Sequence, residues 1–212
     1  MAHVSLAIFD YSNKKVCELY DSDALSSGQA YNICKQEEIK QGWKELTFDL
    51  PLKINKEKNF RWDYIKNDYL VRVREGNETD WYLIKTPKKT KSGGIVTNAV
   101  RCVHISTNLK TKNLYLTYDD TNGIGTIRYL VNRALTNTGW TIGTCDTFYE
   151  SDGVTEKVRS YSSNGKRGSY QIITDICNIF NAYPIYHGDT KTVDIRALAN
   201  KYSIGELYFG KN

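Results

Sequence analysis

The three histidines are the side chains best suited to acid–base catalysis or metal binding, and they lie far apart in the chain. His3, His104 and His187 each fall on a predicted strand in a different element. None of them has Asp, Glu, Cys or a second His at the spacing that zinc or iron ligands require. The histidines therefore predict no metal site.

Nucleophilic catalysis would require a Ser or Cys next to a base. The chain contains no G-x-S-x-G elbow, and none of its five cysteines is flanked by a protease signature. The sequence therefore predicts no catalytic residue, no metal ligand, no cofactor-binding residue and no cofactor.

Two polar segments could hold an ion or a phosphate. The pair Asp119-Asp120, in YDDTNGIG, is a small carboxylate cluster, but the regular oxygen spacing of a calcium loop is absent. We interpret it as an exposed turn or a helix cap. The following GIGT has too few glycines for a phosphate loop, and Asn122-Gly123 is typical of a turn.

A basic stretch and several tyrosines could bind ligands by charge or stacking. The stretch PKKTKSGG, residues 87–94, could contact DNA phosphates or an acidic surface, although a solvated hairpin tip is the favoured interpretation. Paired tyrosines could stack on sugars; they are Tyr115 with Tyr118, and Tyr183 with Tyr186. Strand tyrosines more often bury the ring and expose the hydroxyl, and we expect that here.

Composition narrows the class of protein. The 212 residues are 40% hydrophobic, and 16 Tyr against one Met favours strands over helices in much of the chain. The net charge of +5 is spread along the chain rather than concentrated in one segment, so it gives only weak support for a nucleic-acid partner. We expect no specific nucleic-acid binding. The N-terminus does not resemble a signal peptide, and no apolar run is long enough to span a membrane.

The cysteines indicate the redox environment. They lie at positions 17, 34, 102, 145 and 177, an odd and dispersed set that argues against both a disulfide framework and a zinc site. Cys102 falls in an apolar strand and Cys177 beside the apolar face of a predicted helix, so we expect buried free thiols. Folding in a reducing cytoplasm follows.

In the second half of the chain, a helix followed by a strand occurs twice. The first helix has an apolar face at three- and four-residue spacing, formed by Ile127, Leu130, Val131, Ala134 and Leu135. After it, Gly139-Trp140 turns into a short strand, and Trp140 is predicted to anchor the core among Ile173, Ile176 and Phe180.

The second helix is predicted to begin with Ser169 as its cap and to end before Pro184. Its predicted inner face consists of Ile172, Ile173, Ile176, Ile179 and Phe180. Two strands follow, Ile185–His187 and Thr192–Ile195, joined by the Gly188-Asp189 turn.

The first half predicts six or seven short strands joined by hairpins, which suggests a barrel or a sandwich. The predicted strands are His3–Phe9, Lys15–Leu19, Ala30–Lys35, Lys44–Leu50, Tyr69–Arg74, Asp80–Thr86 and Ile95–Ser106. In the fourth of these strands, Leu46, Phe48 and Leu50 are predicted to point one way. Residues 55–68 are expected to be a long connection with one helical turn. We therefore predict an α+β chain with a β-barrel-like domain at 1–106, a mixed α+β domain at 107–200, and a lead-in to a further domain at 201–212.

The order of these pieces resembles a known family. The strand LTFDLP (residues 46–51) comes first, then the hairpin WYLIKTPKKTKSGGIVTNAVRCVHISTNL, a helix leading into TGWTIG, a helix of the type GSYQIITDICNIFNAYPIYH, and finally YFGKN. This order is similar to the N-terminal region of siphophage and prophage tail-associated proteins, the minor structural or tail endopeptidase family. These proteins are similar to the central baseplate hub of contractile-tailed phages.

The resemblance implies a structural subunit of a tail tip or baseplate hub. Such a subunit would be a homotrimer in the full-length protein, dock onto the distal tail protein hexamer, surround the tape-measure protein, and surround or close the tail tube for DNA ejection. It would be located at the virion tail tip after synthesis in the host bacterial cytoplasm. Where proteins of this family have catalytic activity, it lies in regions beyond this one, so the resemblance assigns no catalytic residue to this sequence. The alternatives are a cell-wall or peptide hydrolase whose catalytic part lies outside this chain, and a host carbohydrate-binding module.

Overall fold

A computed structural model describes residues 4–20, 28–54, 56–85, 87–92, 95–111, 113–114, 123–163 and 167–198. It has a sheet-rich first half and a second half in which helices pack on a smaller sheet. The predicted α+β class is confirmed.

The described residues between 4 and 104 form ten strands, and eight of these strands belong to one antiparallel sheet. In chain order the strands are β1 (Val4–Phe9), β2 (Lys15–Tyr20), β3 (Tyr31–Glu38), β4 (Trp43–Pro51), β5 (Lys53–Ile54), β6 (Glu57–Lys58), β7 (Leu70–Glu75), β8 (Glu78–Ile84), β9 (Lys88–Ser92) and β10 (Ile95–His104). The sheet order is β2-β1-β7-β8-β10-β4-β3, and β9 pairs with β10. The short β5–β6 hairpin precedes a 3₁₀ helix, Phe60–Tyr64, where one helical turn was predicted.

Alternation along the strands places one face of this sheet in a hydrophobic core. Leu46, Phe48 and Leu50 of β4, which were predicted to point one way, are all buried, and so are Val71 and Val73 of β7. The sheet curves enough for Lys35 on β3 to form an ion pair with Glu75 on β7, several strands away in the sheet order. Its edge strands β2 and β3 do not pair with each other in the described residues, so the barrel-like sheet is not a closed barrel.

Most of the described part of the basic stretch forms a strand where a hairpin tip was predicted. Lys88–Ser92 forms strand β9, which pairs with residues 95–99 of β10. Strand β9 can pair there because β10 is longer than its contact with β8. Strand β8 pairs only with residues 102–104 of β10 and leaves the edge of the first half of β10 open. The side chains of Lys88 and Lys89 are exposed, as expected for a solvated segment.

The end of β10 also differs from the prediction. The strand stops at His104, and a 3₁₀ helix, Ile105–Lys110, follows directly. The buried side chains of Ile105 and Leu109 then point into the second hydrophobic core rather than continuing the sheet.

The described residues of the second half form two helices, α1 (Ile127–Leu135) and α2 (Ser169–Phe180), and seven further strands. The strands are β11 (Asn113–Leu114), β12 (Ile124–Gly125), β13 (Thr141–Cys145), β14 (Arg159–Ser160), β15 (Arg167–Gly168), β16 (Ala182–His187) and β17 (Thr192–Ala197). The last two form an antiparallel hairpin, and β13 pairs with β17 in parallel. The four shortest strands form the pairs β11–β15 and β12–β14.

Both helices bury their apolar faces in this second core. All five predicted positions of α1 are buried, and Thr126 caps the helix by accepting the Tyr129 N–H. Trp140 is 7% exposed and belongs to the same core as Ile173, Ile176 and Phe180. The helix–strand repeat predicted from the sequence is therefore the framework of this half.

Two expectations for α2 are wrong. The helix is capped by Gly168, with no side-chain cap hydrogen bond, and Ser169 is its buried first residue. Ile179 is 39% exposed. At 3.6 residues per turn it lies about 120° around the helix from Ile173, just outside the arc that faces the sheet. Tyr170 and Cys177 occupy the buried face instead.

The hairpin after α2 begins earlier than predicted. The helix ends at Phe180, Asn181 adopts a left-handed conformation, and β16 starts at Ala182. Pro184 lies within the strand, opposite Ile195. A proline is tolerated there because β16 is an edge strand of the β13-β17-β16 sheet.

The two isoleucines on α2 provide a test of this packing. Ile176→Ala should lower the free energy of unfolding by about 2–5 kcal/mol, because Ile176 is fully buried. Ile179→Ala should change it by about 1 kcal/mol at most. Urea unfolding followed by circular dichroism measures both values, and equal losses for the two variants would contradict the assigned helix face.

Among the described residues, no helix is long and apolar enough to cross a membrane.

Candidate functional site

The two hydrophobic cores meet where the second half of the chain covers the outer face of β7 and β8. Leu70, Trp81 and Leu83 on that face pack against the second core. The Tyr170 hydroxyl donates to the Gln41 carbonyl over 2.8 Å. A Cβ on Gly42, whose φ is +64°, would lie 2.7 Å from the Pro184 carbonyl oxygen. The contact is therefore close, and glycine is required at position 42.

A Ser–His–Asp hydrogen-bond network lies at this junction, with the serine and the histidine buried. His104, at the end of β10, places Nε2 2.7 Å from Asp80 Oδ1 on the neighbouring strand β8. Its Nδ1 lies 2.9 Å from Ser106 Oγ and accepts the Ser106 backbone N–H over 3.3 Å. Because Nδ1 is an acceptor, the ring proton belongs on Nε2, which donates to Asp80.

The Ser–His–Asp network has the residue types of a nucleophile, a base and an acid, but its three side chains are arranged as a structural cap. His104 accepts the Ser106 N–H and thereby caps the 3₁₀ helix that begins at Ile105. Ser106 is 1% exposed and His104 is fully buried. The serine hydroxyl therefore has no room for a substrate in this conformation, and the network instead ties β8, β10 and the 3₁₀ helix together.

Asp80 also joins the two halves of the chain. Its Oδ1 accepts the Gly188 N–H from the β16–β17 turn over 2.9 Å, and its Oδ2 lies 3.1 Å from Lys44 Nζ. Burial by itself raises the pKa of Asp80, but the interactions with His104 and Lys44 outweigh burial and lower the pKa to about 2. Asp80 is therefore a carboxylate at any physiological pH.

Aromatic rings complete the junction. Trp140 contacts the rings of His104 and Tyr186, with centroids 6.4 and 5.9 Å apart, and Tyr186 stacks on Tyr170. The Tyr186 hydroxyl is buried and has no hydrogen-bond partner among the described residues. The expectation that Tyr186 exposes its hydroxyl is wrong, because β16 packs beneath α2. Burial raises the pKa of the Tyr186 hydroxyl well above its ordinary value.

A charged cavity of about 430 Å³ opens beside Asp80, between the sheet and the β16–β17 hairpin. Five carboxylates line it: Glu37, Glu75, Glu78, Asp80 and Asp189. Lys35 and Lys44 also line it, so the formal charge of the lining is −3 if His187 is neutral. The chain as a whole carries +5, so this cavity has the opposite sign to the rest of the molecule.

The residues considered for chemistry do not converge on one site. His187 lines the cavity beside Asp80 and lies 3.4 Å from Asp194 on β17, and it forms no hydrogen bond with His104, which is also a described residue. No group of three or more His, Cys, Asp or Glu side chains in the described part of the chain could hold a metal ion. His3, Tyr115, Tyr118 and the Asp119-Asp120 pair lie outside the described residues.

All five cysteines are free, and the two predicted to be buried are buried. Burial raises the pKa of Cys102, and it raises the pKa of Cys177 to about 12. Both side chains therefore remain protonated thiols at neutral pH and are poor nucleophiles.

Local spacing did not reveal the Asp80–His104 contact. The two residues are 24 positions apart and come together only because β8 and β10 are neighbours near His104. The same is true of the cavity, whose carboxylates come from β3, β7, β8 and the turn after β16. Both features depend on which strands pair with each other, and a single sequence does not reveal strand pairing.

The fold defined by these two halves is that of phage tail proteins, and the sequence resemblance to tail-associated proteins is confirmed at that level. Residues 27–102 match the family model of the YOMG N-terminal domain. No curated protein sequence matches the chain.

Three solved tail proteins share the fold at low sequence identity. A tail protein from Neisseria meningitidis MC58 is 10% identical with a TM-score of 0.57, and the match covers 91% of this chain and 50% of that protein. The 43 kDa tail protein of prophage MuSo2 from Shewanella oneidensis is 10% identical with a TM-score of 0.58, over 94% and 56%. Prophage tail protein gp18 from Listeria monocytogenes EGD-e is 10% identical with a TM-score of 0.53, over 93% and 51%. The chain thus spans about half the length of these tail proteins.

Proposed function

We propose that this chain is a structural subunit of a phage tail tip or baseplate hub. The observation that carries the proposal is a fold match over 91% or more of the chain, through both hydrophobic cores, to tail proteins from three bacteria. A match of that extent covers both halves of the chain and the junction between them, and is not confined to the larger sheet. It therefore supports a shared architecture of the whole region.

In this proposal the full-length protein is a homotrimer that docks onto the distal tail protein hexamer. It surrounds the tape-measure protein, and it surrounds or closes the tail tube through which DNA is ejected. The subunit is located at the virion tail tip and binds by shape and by strand or loop contacts. Specific nucleic-acid binding is not part of the proposal, because basic side chains do not concentrate in one segment.

We also propose the division into domains at 1–106 and 107–200. The two hydrophobic cores support it, since one draws on residues up to 102 and the other mainly on residues from 105 onward. The proposed lead-in at 201–212 lies outside the described residues. The tail proteins with this fold are about twice as long as the matched region, which supports a further domain in the full-length protein.

The hydrolase alternative gains little from the Ser106–His104–Asp80 chain, because its serine is buried at the junction. The carbohydrate alternative loses Tyr186 as a stacking platform for the same reason. A role for this region without catalysis of its own is therefore the better-supported proposal, and a hydrolase domain elsewhere in the protein would be compatible with it.

Light scattering on the 212-residue chain and on the full-length protein tests the proposal. We expect the chain alone to be monomeric or weakly associated at micromolar concentration, because contacts from the remaining domain are missing, and the full-length protein to be a stable trimer. A full-length protein that stays monomeric, alone and with its tail partners, would contradict the hub function.

A further inference from the structure

We propose that the acidic cavity beside Asp80 receives a lysine side chain from strand β9 of a neighbouring copy of this chain. The proposal rests on the proposed function as an assembling subunit and assigns one contact within the assembly. The cavity is the acceptor surface, and Lys88 with Lys89 is the donor surface.

The cavity retains negative charge that its own lysines do not neutralise. Lys44 lies 3.1 Å from Asp80 and 3.6 Å from Glu37, and Lys35 forms an ion pair with Glu75. Glu78 and Asp189 form no ion pair with a described residue, and both are exposed. Two carboxylates at the rim are therefore available to a cation from outside.

A tyrosine that is almost fully buried at the cavity provides a second, independent indication of a ligand. Tyr82 is 1% exposed and lines the cavity, yet its hydroxyl makes no hydrogen bond with a described residue. Burial, and after it the charges of Asp80 and Glu37, raise the pKa of Tyr82, which keeps the hydroxyl a neutral donor. A peptide entering the cavity could therefore pair a carbonyl with Tyr82 and an ammonium group with the carboxylates.

Strand β9 offers the complementary charge on the same chain. Lys88 and Lys89 are adjacent, exposed and held on a paired strand, opposite Ala99 and Asn98. Lys89 Nζ lies 5.4 Å from the centre of the Trp62 ring, a cation–π contact within the chain. Lys88 is therefore the more available of the two lysines for a contact with another copy. A cation on an ordered strand loses less conformational freedom on binding than one on a mobile loop.

The contact must form between copies. His104, which bonds to Asp80, lies five residues along β10 from Ala99, the partner of Lys88. At about 3.3 Å per residue, Lys88 is about 17 Å from that end of its own sheet, beyond the reach of a lysine side chain. Two different surfaces of one chain then meet head to tail, and contacts of this kind close into rings when the rotation permits.

Zero-length carbodiimide cross-linking tests the contact directly, because it joins an amine only to a carboxylate that touches it. A mixture of ¹⁵N-labelled and unlabelled 212-residue chain at high concentration should yield mixed-isotope peptides that join Lys88 or Lys89 to Glu78 or Asp189. The absence of these peptides would overturn the proposal. Cross-links that join the cavity carboxylates to a different lysine would also overturn it.

Charge reversal in the full-length protein tests the same contact energetically. Glu78→Lys and Lys88→Glu should each weaken trimer association about tenfold or more, and the two changes combined in one chain should restore it. Glu57→Lys, an exposed position on β6 outside the cavity, is the matched control and should have no effect.

The outcomes separate this proposal from the proposed function. A wild-type trimer that neither reversal weakens overturns the contact and leaves the hub function intact. A wild-type protein that does not assemble overturns the hub function, and the cross-linking result on the 212-residue chain then decides the contact by itself.

Discussion

Trp140→Ala should lower the free energy of unfolding by about 3–5 kcal/mol, the usual effect of truncating a buried aromatic side chain. The side chain is 7% exposed and contacts the rings of His104 and Tyr186, which belong to different halves of the chain. Its loss would leave a cavity beneath the junction and remove two edge-to-face ring contacts. Urea denaturation followed by far-ultraviolet circular dichroism measures the change without depending on the deleted indole.

A matched control separates burial from the general effect of removing an aromatic ring. Tyr149 lies in the same half of the chain and is 51% exposed, so Tyr149→Ala should change stability by about 0.5 kcal/mol or less. Wild-type-like unfolding of Trp140→Ala would exclude Trp140 from the core and would weaken the assignment of the second half as a packed unit.

Asp80→Ala should lower the free energy of unfolding by about 3–5 kcal/mol, as expected when one partner is removed from a largely buried ion pair. The carboxylate accepts hydrogen bonds from His104 and Gly188 and pairs with Lys44, so the alanine leaves all three donors without it. Asp63→Ala is the control, because Asp63 and its partner Lys58 are mostly exposed and surface pairs contribute about 1 kcal/mol or less. Equal effects of the two substitutions would contradict the structural role of Asp80.

The same carboxylate predicts how stability depends on pH. The pKa of Asp80 is about 2 in the folded protein, below its ordinary value of 3.8, so the stabilisation is present above about pH 4 and is lost as the pH falls toward 2. The shift corresponds to about 2 kcal/mol. Asp80→Asn lacks the titrating group, so its stability should lie below that of the wild type at pH 7 and approach it at pH 2. A constant difference between the two proteins from pH 7 to pH 2 would show that Asp80 is not the responsible group.

Periodicity in the sequence determined the elements whose burial follows a regular repeat. The apolar face of α1 and the alternation of Leu46, Phe48 and Leu50 were predicted correctly, because side-chain direction in a helix or strand depends only on local geometry. The burial of Trp140 was predicted from its position after a helix. The order of such elements along the chain was also enough to indicate the phage tail fold, which the structure confirms.

Tertiary structure decided whatever depends on which strands are neighbours. Lys88–Ser92 became a strand because β10 extends beyond β8, and Ile179 became exposed because the sheet covers only part of the surface of α2. Asp80 meets His104, and Glu37 shares a cavity with Asp189, through contacts between residues far apart in sequence. These contacts arise from packing between whole elements, and no local spacing in one sequence records them, which is why the junction and its charged cavity emerged only from the fold.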